Sequence, residues 1–249
     1  MIFSLFGKKK ERQKELVDGT ALTIDLHSHL IPGIDDGSNS MQESLTLLRG
    51  MQELGYEKVI TTPHIMFDAY KNTPQSIKEG LASLQDAAKL EGLEIKIEAA
   101  AEYYLDEGFY AHLHSEDVLS IKGKYLLFET SYVSRPLQLE EMIFEIGAAG
   151  YTPLMAHPER YRYIKDPSKE YGRLRDLGVM FQVNVNSFGG HYGRSAKSLA
   201  DFLSKEGMID FLGSDVHHTR HIETLADVFQ SDTYSAIFNN NIIRNDELA

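Results

Sequence analysis

Two short stretches, one early and one late in the chain, carry metal-binding side chains two residues apart. His27 and His29 follow one apolar run, and Asp215 and His217 follow another. If each run is a β-strand, residues two apart point to the same side, so each pair can bind one ion together. Imidazole and carboxylate groups at this spacing suit zinc, manganese or iron. The pattern therefore predicts a metal site built from distant parts of the sequence.

More candidate ligands lie at, or a few residues after, the ends of other apolar runs. The full set of nine is His27, His29, Asp36, His64, Glu102, Glu129, His157, Asp215 and His217. A single ion takes roughly four to six ligands, so this set predicts two or three ions. Glu102 is a natural bridge between them, because each carboxylate oxygen can bind a different cation. Asp35 is the alternative to Asp36.

The elements that must position these side chains alternate along the sequence. Apolar runs predict strands and amphipathic patterns predict helices, in about seven βα units. The predicted strands are 22–26, 58–62, 95–101, 125–129, 152–156, 179–185 and 209–213, and the predicted helices are 40–54, 74–90, 139–149, 168–177 and 195–206. Apolar strands joined by helices indicate an α/β fold with a parallel sheet, closed into a barrel or, alternatively, open and doubly wound. The ligands fall at the carboxyl ends of the strands, where barrel active sites are built.

Length and composition narrow the possible classes of protein. The 249 residues suit one barrel domain, predicted for residues 21–249 after a flexible basic tail at 1–20. The absence of cysteine excludes disulfides, thiolate metal sites and a cysteine nucleophile. A net charge of −12 argues against nucleic acid as a partner. No apolar stretch approaches the ~20 residues of a transmembrane helix, and with no export signal we expect a cytoplasmic protein.

Taken in order, the motifs resemble the PHP (polymerase and histidinol phosphatase) superfamily. Within it, they are most similar to the metal-dependent bacterial protein tyrosine phosphatases of capsule and exopolysaccharide operons. The resemblance covers roughly residues 22 to 230. The residues that carry it are His27-Ser28-His29, Asp35-Asp36-Gly37, Thr62-Pro63-His64, Glu102, Glu129, His157-Pro158-Glu159-Arg160 and Ser214-Asp215-Val216-His217.

The resemblance implies a distorted (β/α)₇ TIM-like barrel that holds three metal ions, manganese foremost, with iron, cobalt and zinc as alternatives. The first ion would take His27, His29, Glu102 and Asp215, the second Glu102, Glu129 and His157, and the third Asp36, His64 and His217. The resemblance also implies that Arg160 holds the substrate phosphate, and Arg220 is a second candidate for this role. Both arginines are therefore predicted as catalytic and substrate-binding residues.

The implied activity is phosphomonoester hydrolysis by metal-activated hydroxide, without a covalent phosphoenzyme. The expected substrate is phosphotyrosine on an autophosphorylated bacterial tyrosine kinase of polysaccharide synthesis, which would place the protein at the inner membrane face. Tyrosine has a pKa of about 10 and an alcohol a pKa of about 15, so tyrosinate leaves more easily than an alkoxide. The alternatives are a small-molecule phosphatase of the histidinol phosphate type and a non-catalytic or nucleic-acid-processing PHP module.

Several aromatic and histidine residues remain outside this set. Tyr104 is predicted to bind substrate, and the aromatic side chains that could stack on a phosphotyrosine ring, with core packing as the alternative, are Phe67, Tyr70, Tyr103, Tyr104 and Tyr132. His112 and His114 follow no clear strand and are predicted to be exposed. His191, His218 and His221 are predicted to lie at the surface, with a place beside the site as the alternative. Asp25 is predicted to orient a ligand or a backbone group.

Overall fold

The computed structural model describes residues 22–249, and the predicted tail at 1–20 lies outside that range. The strands are β1 (Ile24–Asp25), β2 (Lys58–Thr61), β3 (His64–Ile65), β4 (Lys96–Ala99), β5 (Glu102–Tyr104), β6 (Tyr125–Glu129), β7 (Thr152–Ala156), β8 (Met180–Asn184) and β9 (Phe211–Gly213). The α-helices are α1 (Met41–Glu53), α2 (Pro74–Leu90), α3 (Phe109–Leu113), α4 (Leu139–Ala148), α5 (Pro167–Asp176), α6 (Val185–Phe188), α7 (Arg194–Lys205), α8 (Thr219–Val228) and α9 (Asp232–Asn240). Short 3-10 helices follow β7 at Pro158–Arg160 and end the chain at Asn245–Leu248.

All paired strands of the two sheets are parallel, and together they close a barrel. One sheet has the order β1-β2-β4 and the other β3-β5-β6-β7-β8-β9. Strand β3 continues the path of β2, and β5 continues β4, so residues 22–249 contribute seven strand positions. The last position meets the first at a parallel bridge between Ser28 and Val216, where the Asp215 N–H donates to the His27 carbonyl at 2.7 Å. The prediction of a (β/α)₇ barrel is confirmed, and the open sheet is wrong.

The break between β2 and β3 has a local cause that brings a predicted ligand into place. Pro63 has no N–H to give to a neighbouring strand, so the ladder is interrupted there. Its carbonyl still accepts from the Glu102 N–H at 3.1 Å, and His64 then pairs with Glu102 in register. The interruption therefore sets His64 beside the Glu102 strand.

The apolar core has two layers, separated by the barrel wall. The inner cluster is small and fills the barrel with residues that alternate along their strands: Ile24, Leu26, Ile60, Ala100, Ile121, Tyr125, Leu127, Leu154, Ala156, Phe211 and Leu248. The larger cluster lies between the strands and the surrounding helices. Leu248 reaches the inner cluster because Asn245 donates to the carbonyls of Ile24 and Leu212, each at 2.8 Å. The carboxyl-terminal segment thus covers the end of the barrel opposite the predicted ligands.

Helix boundaries follow the capping residues in the sequence. Ser40 accepts from the Glu43 N–H and starts α1, and Thr73 with Ser76 forms a capping box before Pro74 in α2. The helices α3, α6, α8 and α9 were not among the predicted elements. Among the described residues, no helix combines the length and the apolar character that a membrane crossing requires.

Candidate metal centre

The nine predicted ligands gather at the carboxyl end of the barrel, and most of their side chains are buried. Strand pairing explains this convergence, because parallel strands end at the same rim. Some of these side chains, with a few neighbours, form five groups whose ligand atoms lie within 4.8 Å of one another. The groups are His27, His29 and Asp215; His27, Glu102 and His157; His64, Glu102 and Glu129; His29, Asp36, His64 and His217; and His191, His218 and His221. Four of the five groups are made wholly of predicted ligands.

Two of these residues adopt a backbone conformation that is rare for residues other than glycine. Asp215 has φ 51° and His157 has φ 33°, both in the left-handed region. Each follows the end of a barrel strand, and the turn directs its side chain back over the rim. Backbone strain of this kind, of order 1 to 3 kcal/mol, persists where surrounding structure enforces it and is concentrated at functional sites.

Glu102 is the centre of the cluster, and its two oxygens face different histidines. Oε2 lies 3.2 Å from His27 Nε2, 3.4 Å from His29 Nε2 and 3.2 Å from His64 Nδ1. Oε1 lies 3.1 Å from His157 Nε2. This arrangement suits the bridging role that the sequence predicts for Glu102, and that role stays a prediction.

The other carboxylates extend the cluster to either side of Glu102. Asp215 Oδ1 lies 3.5 Å from His27 Nε2 and 3.4 Å from His217 Nδ1. Glu129 Oε1 lies 3.1 Å from His64 Nδ1. His64 therefore stands between the predicted second and third ligand sets, because its other nitrogen, Nε2, is 3.3 Å from Asp36.

Asp35 and Asp36 have different surroundings, which distinguishes their roles. The Asp35 side chain is fully buried, accepts from His29 Nδ1 at 2.8 Å and also accepts from the N–H groups of Gly37 and His64. Asp36 Oδ1 faces His64 Nε2 and His217 Nε2 at 3.3 and 3.5 Å. Asp36 thus faces two other predicted ligands, whereas Asp35 holds His29 from behind.

Three histidines are fixed with a lone pair turned toward the cluster. His27 Nδ1 lies 2.6 Å from Gln182 Oε1, His29 Nδ1 lies 2.8 Å from Asp35 Oδ2, and His217 Nδ1 lies 3.0 Å from the Asp215 carbonyl. Each outer nitrogen must donate to its oxygen, so in the neutral ring the inner Nε2 has no proton. His27 Nε2 and His29 Nε2 are 3.3 Å apart, and two such lone pairs need a cation or a proton between them.

Several close contacts in the cluster lack hydrogen-bond geometry. Glu102 Oε1 is buried with no hydrogen-bond partner although His157 Nε2 is 3.1 Å away. His64 Nδ1 is likewise unpartnered between two carboxylates. Oxygen and nitrogen atoms that converge without sharing hydrogens are arranged as ligands of a common ion. The residues present therefore fit divalent cations bound by nitrogen and oxygen.

The electrostatics of the cluster point the same way. Burial raises the pKa of Glu102, but His27 and His64 outweigh it and hold that pKa well below its ordinary value. Burial lowers the pKa of His29, and the nearby Asp35 carboxylate more than compensates, raising it to about 10. Without cations, the carboxylates thus draw protons onto His27, His29 and His64, whose pKa values are all raised. A divalent cation can take the place of those protons.

A supporting layer around the ligands was largely missed by the sequence analysis. Gln182 Nε2 donates to Asn184 Oδ1 at 2.9 Å, and Asn184 Nδ2 donates to Asp215 Oδ2 at 2.7 Å, so β8 connects His27 to Asp215. Both residues point inward from a strand two positions apart, which is the signal that could have found them. Asp25 accepts from the N–H and the hydroxyl of Ser214, as expected for a residue that orients backbone, and burial raises its pKa to about 6.

A pocket opens above the cluster, and Arg160 lies in its wall. Its lining residues are Asp36, His64, Glu102, Tyr132, His157, Arg160, Tyr192, Asp215, His217, His218 and His221. Arg160 Nη1 donates to Asp215 Oδ2 at 2.8 Å, and the guanidinium lies beside two tyrosine rings. Tyr192 was not singled out in the sequence, because it lies in a loop between α6 and α7 with no ligand motif.

Other predicted substrate residues do not line this pocket. Arg220 is exposed near the start of α8, whose buried face carries His221, Ile222 and Leu225 instead. Tyr104 is half-buried at the end of β5 and is not in the lining. The structure thus brings Arg160 to the pocket but neither Arg220 nor Tyr104, whose roles stay predictions that rest on the sequence.

The remaining aromatic candidates have mixed positions. Tyr103 is buried in the outer core with its ring 6.3 Å from Phe109, and Phe67 is exposed. Tyr70 stacks on His64 with ring centroids 5.4 Å apart. Core packing was the correct alternative for Tyr103.

The histidines left out of the ligand set also divide into two groups. His112 and His114 lie on and directly after α3, and His114 is exposed while His112 is half-buried. His221 is only 5% exposed, and its Nδ1 accepts from the His217 N–H at 3.0 Å, so the surface prediction is wrong for this residue. Its ring stacks on His218 with centroids 3.9 Å apart. Helix α8, absent from the predicted elements, is what brings His221 inward.

Comparisons with known proteins show which proteins this chain is similar to. A family model described as "Capsular polysaccharide synthesis, CpsB/CapC" matches residues 23–230. The chain is 28% identical to the tyrosine-protein phosphatase YwqE of Bacillus subtilis, over 81% of this chain and 80% of that protein. It is 27% identical to the tyrosine-protein phosphatase CpsB of Streptococcus pneumoniae, over 78% of this chain and 83% of that protein.

A solved structure is similar over nearly the whole described fold. It comes from work on YwqE from Bacillus subtilis and CpsB from Streptococcus pneumoniae, described as unique metal-dependent tyrosine phosphatases. The match has a TM-score of 0.76 and 25% sequence identity, and covers 88% of this chain and 96% of the other. The similarity therefore includes the barrel and the rim on which the ligand cluster is built.

Proposed function

This chain belongs to the capsular polysaccharide synthesis (CpsB/CapC) family, and from that premise we propose that it is a metal-dependent phosphatase that hydrolyses phosphotyrosine in proteins. The observation that carries the proposal is the fixed orientation of His27, His29 and His217, whose outer nitrogens are held by oxygen acceptors while their inner nitrogens face the carboxylates. Relatives that cover most of the chain are named tyrosine-protein phosphatases.

The proposed ligand sets are those that the family resemblance implies. His27, His29, Glu102 and Asp215 would hold one cation, Glu102, Glu129 and His157 a second, and Asp36, His64 and His217 a third, with manganese as the proposed metal. When bound, such cations lower the pKa of a coordinated water toward 7 and neutralise phosphate oxygens.

The residues of the chain bind and orient the phosphate. Arg160 has one edge on Asp215, and its remaining N–H groups can donate to phosphate oxygens in the pocket, stabilising the charge that grows during in-line attack by water. No covalent phosphoenzyme is needed. Tyrosinate leaves with a pKa of about 10, so the reaction places little demand on a proton donor.

The proposed substrate is a phosphotyrosine protein, in particular an autophosphorylated tyrosine kinase of polysaccharide synthesis at the membrane. The family description supports this choice because it places the relatives in capsular polysaccharide synthesis. We also propose that residues 21–249 act as one barrel domain and that the basic tail at 1–20 brings it to the inner membrane face, where lysines near an anionic surface contribute about 1 kcal/mol each.

The proposal is tested with metal-depleted protein that is reloaded with manganese, iron, cobalt or zinc. Hydrolysis of a phosphotyrosine peptide, a phosphoserine peptide and histidinol phosphate is compared under each metal, with elemental analysis of the same samples. We expect metal-dependent turnover with a strong preference for phosphotyrosine. A preference for histidinol phosphate would establish the small-molecule alternative, and no turnover under any metal would leave a non-catalytic module.

A matched pair of histidine variants links turnover to the cluster. His27→Ala removes a ligand with no exposed surface, and we expect it to abolish turnover and reduce bound metal. His114→Ala removes an exposed histidine outside the cluster and serves as the control. Equal turnover in the two variants would remove His27 from the site.

A further inference from the structure

The Arg160 guanidinium lies over two aromatic rings. Its central carbon is 4.5 Å from the ring centroid of Tyr132 and 4.3 Å from that of Tyr192. A guanidinium donates hydrogen bonds only in its plane, and cation–π contacts with two rings restrict the orientation of that plane. The two rings therefore decide which way the donors of Arg160 point into the pocket.

Each of these tyrosines also donates to a carboxylate of the candidate metal centre. The Tyr132 hydroxyl donates to Glu129 Oε2 at 3.1 Å, and the Tyr192 hydroxyl donates to Asp215 Oδ2 at 3.1 Å. Glu129 and Asp215 belong to different proposed ligand sets. The pair of tyrosines thus connects the phosphate-binding arginine to two separate parts of the cluster.

Tyr132 is itself supported from behind. Its ring packs on Tyr161 with centroids 5.8 Å apart, and Tyr161 packs on Tyr163 at 5.3 Å, both nearly parallel. Tyr161 is fully buried, and its hydroxyl donates to the Ala156 carbonyl. The Tyr132 ring thus already contacts both Arg160 and Tyr161, which argues against it as a stacking platform for phosphotyrosine.

We propose that Tyr132 and Tyr192 are positioning residues that set the plane of Arg160 with their rings and orient Glu129 and Asp215 with their hydroxyls. This inference rests on the proposed function and deepens it. The two hydroxyls differ in importance. Glu129 Oε2 has Tyr132 as its donor, whereas Asp215 Oδ2 also accepts from Arg160 at 2.8 Å and Asn184 at 2.7 Å.

Single substitutions separate the two contributions. Tyr132→Phe keeps the ring and removes the hydroxyl, so we expect the dissociation constant of one metal equivalent to rise about 10- to 100-fold, as for other groups that hold a ligand in place. Tyr192→Phe should produce a smaller rise, because two donors remain on Asp215. In both Phe variants, the affinity of the metal-saturated protein for inorganic phosphate should stay within about twofold of the parent.

Removal of the rings should instead lower the affinity of the protein for inorganic phosphate. We expect Tyr192→Leu to weaken inorganic phosphate binding to the metal-saturated protein about tenfold, because Arg160 loses one of its two ring contacts. Tyr132→Leu should weaken both phosphate and metal binding. Tyr163→Phe is the control, since its hydroxyl lies near Thr130 Oγ1 and not near a ligand. Circular dichroism melts identify any Leu variant that fails to fold, and the two Phe variants then still test the hydroxyls.

Calorimetric titrations with manganese and with inorganic phosphate give these constants without any turnover. Phe variants that bind metal like Tyr163→Phe would refute the role of the hydroxyls, and a folded Tyr192→Leu that binds phosphate like the parent would refute the role of the ring. Failure of the proposed function looks different: the parent would hydrolyse no phosphotyrosine while the metal and phosphate affinities still changed in the variants as described.

Discussion

Gln182 Oε1 accepts from His27 Nδ1 at 2.6 Å, and this contact determines which nitrogen of His27 faces the cluster. Both side chains are fully buried, so no water can replace the acceptor from bulk solvent. The Gln182 amide then donates to Asn184, and Asn184 donates to Asp215. One strand therefore orients two predicted ligands, His27 and Asp215, that lie almost 190 residues apart in sequence.

The first prediction concerns that contact. Gln182→Leu leaves the His27 N–H without an acceptor, so the ring is free to present either nitrogen, and we expect metal affinity to fall about 10- to 100-fold. Titration of the metal-depleted variant with manganese measures this. Gln75→Leu, on the exposed surface of α2, is the control. An unchanged affinity in Gln182→Leu would show that the ring is held by packing alone.

The second prediction separates Asp35 from Asp36. Asp36→Ala removes a half-exposed side chain and should reduce bound metal by one equivalent with little change in melting temperature. Asp35→Ala removes a buried acceptor of three hydrogen bonds, and each unsatisfied partner costs about 1 to 3 kcal/mol, so this variant should melt much earlier. Elemental analysis and thermal melts of both variants decide the matter. The reverse pattern would make Asp35 the ligand.

The third prediction is a dependence of stability on pH that should be steeper in the metal-free protein than in the metal-loaded protein. His29 has a pKa of about 10 in the folded chain, against about 6.5 when unfolded. The stabilisation of the fold by protonated His29 is complete below pH 6.5 and is lost as the pH rises through 10. Over this range, the folded state holds a proton that the unfolded state has released, so the free energy of unfolding falls by up to about 1.4 kcal/mol per pH unit.

The best window for this measurement is pH 8 to 10. The buried carboxyls with raised pKa values, Asp25 at about 6 and Glu159 at about 7, are already ionised there. A bound cation replaces the proton, so the metal-loaded protein should lose less stability. Urea unfolding of both forms across this range gives the comparison, and parallel pH dependences would contradict the prediction.

The fourth prediction concerns Arg160. Arg160→Ala should still bind its full complement of metal at saturating concentrations, because Asn184 and Tyr192 continue to donate to Asp215 Oδ2. Its kcat/KM for a phosphotyrosine peptide should fall. The fall should correspond to a loss of about 2 to 4 kcal/mol of transition-state stabilisation. Arg162→Ala changes an exposed neighbour and is the control. Normal kinetics in Arg160→Ala would exclude the arginine from phosphate binding.

The sequence by itself determined the barrel and predicted the set of candidate ligands that the structure brings together. Strand and helix periods are local properties, and His27, His64 and His157 each lie just beyond a strand whose apolar pattern is plain. Because parallel strands end at one rim, position after a strand was enough to predict that these side chains meet. The motifs were also sufficient for the family resemblance.

Only the tertiary structure decided how the side chains are oriented and which neighbours support them. Asp35 and Asp36 are adjacent and chemically identical, and only the fold puts one behind His29 and the other between His64 and His217. Tyr192 and Gln182 contribute through contacts with residues far away in sequence, and such contacts leave no local pattern. The direction in which Arg220 points depends on which face of α8 packs inward, and that face is chosen by the barrel around it.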